Sequence, residues 1–339
     1  MNDEIFKELS KNNMGTLDLD IDFFSNEGEW TLRTYEACKR IASSVDAEFI
    51  VLQNYNFNAA AFFKPRFISM NFGVFELSNK ISFAITNFYL NDIKCDLSPI
   101  KNEDNKVYYD VFSKMEDSFA QDNKHLFEND SYKQTFELIS SIFILFTMFH
   151  EAGHIYHRHG ARHNLATHDA DGASASKTLS DEEALASQTR EVICDLFAFD
   201  KMIDNQLMEV KKICGEDRKT YISYISQYIL FIGLYFYFLS PHLSIKNYKQ
   251  SSHPTSALRM KTILISFFGN ESLGLTKQEK EKVFSRFQHK LQDVLYNIFS
   301  DKAHYHWLFV IPDAEVKEWY EKIYAQIPKW YLYGIDLEQ

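Results

Sequence analysis

The stretch FTMFHEAGHIYHRH, residues 146–159, gathers four histidines and one glutamate. Its centre reads His150-Glu151-Ala152-Gly153-His154. On a helix of 3.6 residues per turn, side chains four apart point the same way. His150 and His154 therefore offer two imidazoles to one metal ion. Glu151 lies one step round the helix, where it can take a proton from a metal-activated water instead of binding the metal. That is the chemistry of a zinc hydrolase, and it makes Zn2+ the expected cofactor. The competing reading is an exposed helix end with solvated histidines.

Catalytic zinc wants three protein ligands and an open position. The metzincin pattern would place Gly at 157 and His at 160, but the chain has His157 and Gly160, which excludes that class. The remaining common third ligand is a glutamate from a following helix. Residues 190–198, REVICDLFA, supply Glu191 with Asp195 four residues on, both on one helical face. Glu191 is the expected ligand, and Asp195 is the acid that would hold a ligand imidazole by its free N–H. A salt bridge of these acids with Arg190 or another base is the alternative. His157, His159, His163 and His168 are expected to be solvated, at a helix end and in a loop.

The elements that must carry these residues are legible in outline. LISSIFILFTMF, 138–149, runs directly into the histidines and predicts a buried helix that takes them into the interior. Ser180-Asp181-Glu182-Glu183 and Thr276-Lys277-Gln278-Glu279 are capping boxes that start helices. Glu182 and Glu183 serve a helix start and are weaker candidates as ligands. Upstream, 31–45 has helical spacing, whereas 47–53 and 66–72 are rich in the β-branched and aromatic residues of strands. The reading is an α+β fold, predominantly helical. Residues 1–110 form a mixed α/β part and 111–339 a mainly helical catalytic part, within one continuous globular unit. Residues 160–179 are polar, small and aperiodic, which predicts a loop beside the site.

Composition narrows the partners. A net charge of −11 argues against nucleic acid, because clustered Lys and Arg are lacking. The four cysteines, 38, 95, 194 and 214, form no CxxC pair, so neither a disulfide framework nor a thiolate zinc knot is indicated and a cytoplasmic location is expected. Residues 221–239 carry no charge and are long enough to cross a bilayer. Gln227 and scattered tyrosines favour a core helix, with membrane association as the alternative.

With His150, His154, Glu191 and Asp195 in this order, the chain resembles the gluzincin metallopeptidases. Two further stretches extend the likeness to the family that includes the Ste24 and HtpX peptidases. One is Asn58-Ala59-Ala60-Ala61-Phe62 followed by a strand-like RFISMNFGVFEL. The other is Ser252-His253-Pro254-Thr255-Ser256-Ala257-Leu258-Arg259. The resemblance implies a zincin-like core in which Asn58, Ala59 and Ala60 precede the strand lining the substrate cleft. It implies that His253 steadies the oxyanion and that Arg259 organises the site. An edge strand near 66–72 is expected to align a protein or peptide substrate by strand addition. The chain departs from the membrane peptidases in lacking their several spanning helices, and Cys194 stands where a small residue is usual. As a single-domain, aromatic-rich chain with these motifs it is similar in general architecture to the Lit phage-exclusion peptidases, bacterial HExxH proteins that cut a translation elongation factor. The expectation is a zinc-dependent endopeptidase. A non-catalytic zincin-fold regulatory protein and a peptidase anchored by 221–239 are the alternatives.

Overall fold

The computed structural model describes residues 3–11, 19–20, 22, 24, 29–91, 129–160, 167–169, 179–239, 249, 251–298, 308 and 314–331. It is an α+β fold dominated by helices. Helices α1 (Asp3–Lys11) and α2 (Glu29–Ser44) precede strands β1 (Glu48–Leu52), β2 (Ala59–Phe63) and β3 (Arg66–Asn71), then helix α3 (Phe72–Asn91). After them come α4 (Asp130–Tyr156), β4 (Thr167–Asp169), α5 (Asp181–Cys214), α6 (Arg218–Leu239), α7 (Ser256–Gly269), α8 (Lys277–Ile298) and α9 (Ala314–Trp330).

The four strands lie in the order β1-β3-β2-β4, with β1 parallel to β3 and the other two pairings antiparallel. Alternation along each strand assigns the two faces. Ile50, Leu52, Ala60, Phe62 and Phe67 pack with Ile5 and Leu9 of α1, while Val51, Ala59, Ala61, Ile68 and Met70 join the main core.

This topology corrects two expectations. Strand β3, read as a substrate edge, is an inner strand with β1 on one side and β2 on the other. The strand also ends at Asn71: the residues after it have helical, not alternating, burial, with Val74, Phe75, Ser78, Ile81, Ser82 and Ile85 all inward. Gly73 permits that abrupt change, since a Cβ there would lie 2.3 Å from the Tyr55 carbonyl oxygen. Within the 160–179 segment, residues 167–169 pair with Ala60–Phe62, so the helical half of the chain supplies the last strand of the N-terminal sheet. Residues 161–166, with His163 among them, and 170–178 lie outside the described residues, as does the 110/111 boundary.

Helix α4 forms the spine. Asn129 caps it by accepting from the Ser131 and Tyr132 amides, and its interior is apolar nearly all round, as a core helix requires. Helix α5 starts at the expected capping box, where the Ser180 hydroxyl accepts from the Glu183 amide and the Glu183 carboxylate accepts from the Ser180 amide. It packs along α4 and is covered on its far side by α9. Among the described residues two helices, Asp130–Tyr156 and Arg218–Phe238, are long and apolar enough to cross a membrane, but 83% and 78% of their apolar windows are buried inside the protein. In α6 the buried Ile229, Leu230, Ile232, Leu234 and Phe236 each contribute about 1.5–3 kcal/mol by leaving water. The expected helix start at Thr276 is formed as well, with Thr276 and Glu279 exchanging hydrogen bonds.

Candidate metal centre

Four elements converge on one buried cluster. The last turns of α4 bring His150 and His154, the middle of α5 brings Glu191 and Asp195, α7 brings Arg259, and the segment leading into α7 brings His253. The His150 and His154 Nε2 atoms are 3.3 Å apart. The Glu191 carboxylate faces both, at 3.2 Å from His150 Nε2 and 3.3 Å from His154 Nε2. Taking one ligand atom from each residue, the three donors lie within 4.8 Å of one another and are buried, a group able to hold a metal ion.

Behind the triangle stands a chain of charged partners. His150 Nδ1 donates to Asp195 at 2.9 Å, and Arg259 donates to both oxygens of Asp195, at 2.7 and 2.6 Å. Arg259 also lies over the Phe236 ring. Its guanidinium is committed to Asp195, so its place is behind His150. His253 Nε2 is 3.4 Å from Glu191, and its side chain is 13% exposed. The Ser252 hydroxyl lies 2.8 Å from His253 Nδ1. If that hydroxyl donates, Nε2 keeps the hydrogen and points it into the cluster.

The electrostatics follow from burial set against charge. Burial alone would strip His150 of its proton, but the hydrogen bonds it donates to Asp195 and Glu191 outweigh burial and raise the group to about 10. His154 has less help, and burial pushes it down to about 4. Burial opposes ionisation of Glu191, yet the surrounding imidazoles, His253 first, hold it well below the usual carboxylate range. Asp195 is likewise held low against burial by Arg259. The cluster thus keeps two carboxylates charged in a buried interior, Asp195 chiefly against the Arg259 guanidinium and Glu191 against the imidazoles that face it. Glu151 is completely buried on α4 beside these groups.

Sequence reasoning misplaced the neighbouring histidines. His157 and His159, expected in solvent, are completely buried. His157 packs against Phe197 and Tyr331, and His159 against Trp330, so α9 closes over the end of α4. His159 Nδ1 is 3.1 Å from His154 Nδ1 and 3.7 Å from the Cys194 sulfur. Gln188 was also missed, although it sits one turn before Glu191 on the same helical face. Its amide donates to the Ser251 carbonyl and its oxygen accepts from Trp319, which ties the His253 segment and α9 to the ligand helix. Arg190, offered as an alternative partner for the acids, lies over the Trp330 ring. Ala59 and Ala60 begin strand β2, which packs against α4, with Asn58 just before it, and the alanine side chains carry no donor group. His168 pairs through β4 with Ala61.

No curated protein and no solved structure matches the chain. A family model does: Peptidase U49 covers residues 106–275, which contain α4, α5, α6 and α7 and with them every residue of the cluster. That match spans half of the 339 residues, and the chain belongs to the Peptidase U49 family.

Proposed function

We propose that the protein is a zinc-dependent endopeptidase of gluzincin type, with His150, His154 and Glu191 as the metal ligands. The observation that carries this reading is the size of the donor triangle. Tetrahedral zinc with N and O ligands at their usual distances separates neighbouring donors by about 3.4 Å. The two Nε2 atoms are 3.3 Å apart and each has a Glu191 oxygen at a similar distance, Oε2 at 3.2 Å from His150 and Oε1 at 3.3 Å from His154. Two imidazoles and a carboxylate are also a donor set that suits zinc. Zinc held there would supply a Lewis acid that polarises a peptide carbonyl and makes a water more acidic.

The chain's own residues divide the remaining work. Glu151 receives the proton of the attacking water and passes it to the leaving amine. Asp195, held by Arg259, fixes the His150 ring through Nδ1 and keeps Nε2 turned toward the ligand triangle. His253 directs its Nε2 hydrogen at the negative charge that develops on the carbonyl oxygen. Arg259 is thus a positioning residue. The substrate is a protein or peptide. Alignment of that substrate does not fall to β3, whose two sides are already paired.

Glu151→Gln is the direct test, because the amide has nearly the same shape but accepts no proton. Incubated with a peptide library whose new amino termini are read by mass spectrometry, the variant should keep its zinc and lose at least about 10²-fold in cleavage rate. Cleavage at the wild-type rate would remove Glu151 from the chemistry and the hydrolytic reading with it.

A further inference from the structure

A second set of donors lies on the other side of His154. The Nδ1 atoms of His154 and His159 are 3.1 Å apart, and the Cys194 sulfur is 3.7 Å from His159 Nδ1. All three atoms lie within 4.8 Å of one another, and all three residues are completely buried. Around tetrahedral zinc the corresponding separations are about 3.3 Å for two imidazole nitrogens and about 3.6 Å for nitrogen and thiolate sulfur. A hydrogen bond between the two rings would explain the first distance alone. A thiol hydrogen bond accounts for the second, and together the two contacts bring three metal-ligating atoms to one buried point.

The chain builds this convergence deliberately in its backbone. After α4 ends, Arg158 takes a positive φ of 55°, a conformation unfavourable for a side-chain-bearing residue. That turn reverses the chain so that His159, five residues past His154, faces back onto it. Trp330 of α9 closes over the result.

We propose that His154, His159 and Cys194 form a second, thiolate-containing site for a zinc-like divalent cation, and that it competes with the hydrolytic site for His154. A neutral imidazole has one lone pair. With a cation on Nδ1, the ring proton moves to Nε2, and the hydrolytic triangle loses a ligand. Charge and protons balance: the cation replaces the Cys194 thiol proton, which leaves to solvent, and the His154 proton changes nitrogen. The thiolate makes this site the softer of the two, suited to zinc, cadmium or cobalt rather than magnesium or calcium. Its inhibitory consequence, that excess metal silences cleavage, rests on the zinc-peptidase reading. The binding itself does not.

The test is a titration of the metal-free full-length chain with Co2+, read by the sulfur-to-cobalt charge-transfer absorption in the near ultraviolet, with the fold checked by circular dichroism. His150→Ala weakens the hydrolytic triangle and leaves the second set of donors intact, so a charge-transfer band should develop to saturation in this variant. The band should fall to baseline in His150→Ala/Cys194→Ser and in His150→Ala/His159→Ala. Glu191→Gln serves in place of His150→Ala if the latter does not fold. No band in either background, or a band that survives Cys194→Ser, overturns the proposal. The hydrolytic reading fails separately, if the wild-type chain takes up no cobalt in a site free of sulfur.

Discussion

His253 is the one member of the cluster that does not stand on a helix, and its role depends on how firmly a short segment is held. The Ser251 carbonyl accepts from Gln188, the Ser251 hydroxyl accepts from the His253 amide, and the Ser252 hydroxyl pairs with the ring. A donor fixed in this way needs no reorganisation as charge develops on the substrate. His253→Phe should therefore lower the cleavage rate by roughly 10²–10³-fold with zinc content unchanged, measured on the same preparation. Loss of zinc would make His253 a ligand instead. At this scale much of the cluster was legible, since His150 with His154 and Glu191 with Asp195 repeat at the spacing of one helical turn. The burial of His157 and His159 was not, because it comes from Trp330 and Tyr331, far along the chain. Nor did the sequence show that Arg259 would reach Asp195 from a third helix.

Helices α4 and α5 hold the proposed ligands, and their junctions with the rest of the fold decide how rigidly they do so. Gly160 follows α4 where the chain passes the sheet, and a Cβ there would lie 2.0 Å from the Phe63 ring. Gly160→Ala must push β2 or the His159 segment aside, and chemical denaturation should show a loss of about 1–3 kcal/mol. A neutral outcome would mean that the ring simply swings away. Farther from the site, Arg218 at the start of α6 donates to both oxygens of Glu279 at the start of α8, at 2.9 and 2.6 Å. This bond, with those from Thr276, depresses Glu279 from 4.5 to about 2. A carboxylate lowered on folding stabilises the protein above its unfolded value and loses that contribution as pH falls toward the folded one. Wild type should thus exceed Glu279→Gln in urea midpoint at neutral pH, with the gap closing between about 4.5 and about 2. A gap independent of pH would assign the effect to packing. The helix starts at Ser180 and Thr276 were readable because capping is local. Strand β4 was not, because three polar residues become a strand only by pairing with β2.

Across the whole molecule one apolar core runs from the sheet through α4 and α6 to α8, and the charged cluster is set into its side. A long apolar helix at 221–239 was apparent from composition, but its packing beside α4 was not. There the Tyr235 hydroxyl meets Thr147, one turn before His150. Such a core packs α4 and α5 together in fixed register. The proposed function places a single hydrolytic zinc between His150, His154 and Glu191. The most direct measurement is an anomalous-difference map collected at the zinc edge from crystals of the protein grown with one equivalent of zinc. The account predicts one peak about 2.0–2.2 Å from both Nε2 atoms and a Glu191 oxygen. A peak elsewhere, or none, would contradict it.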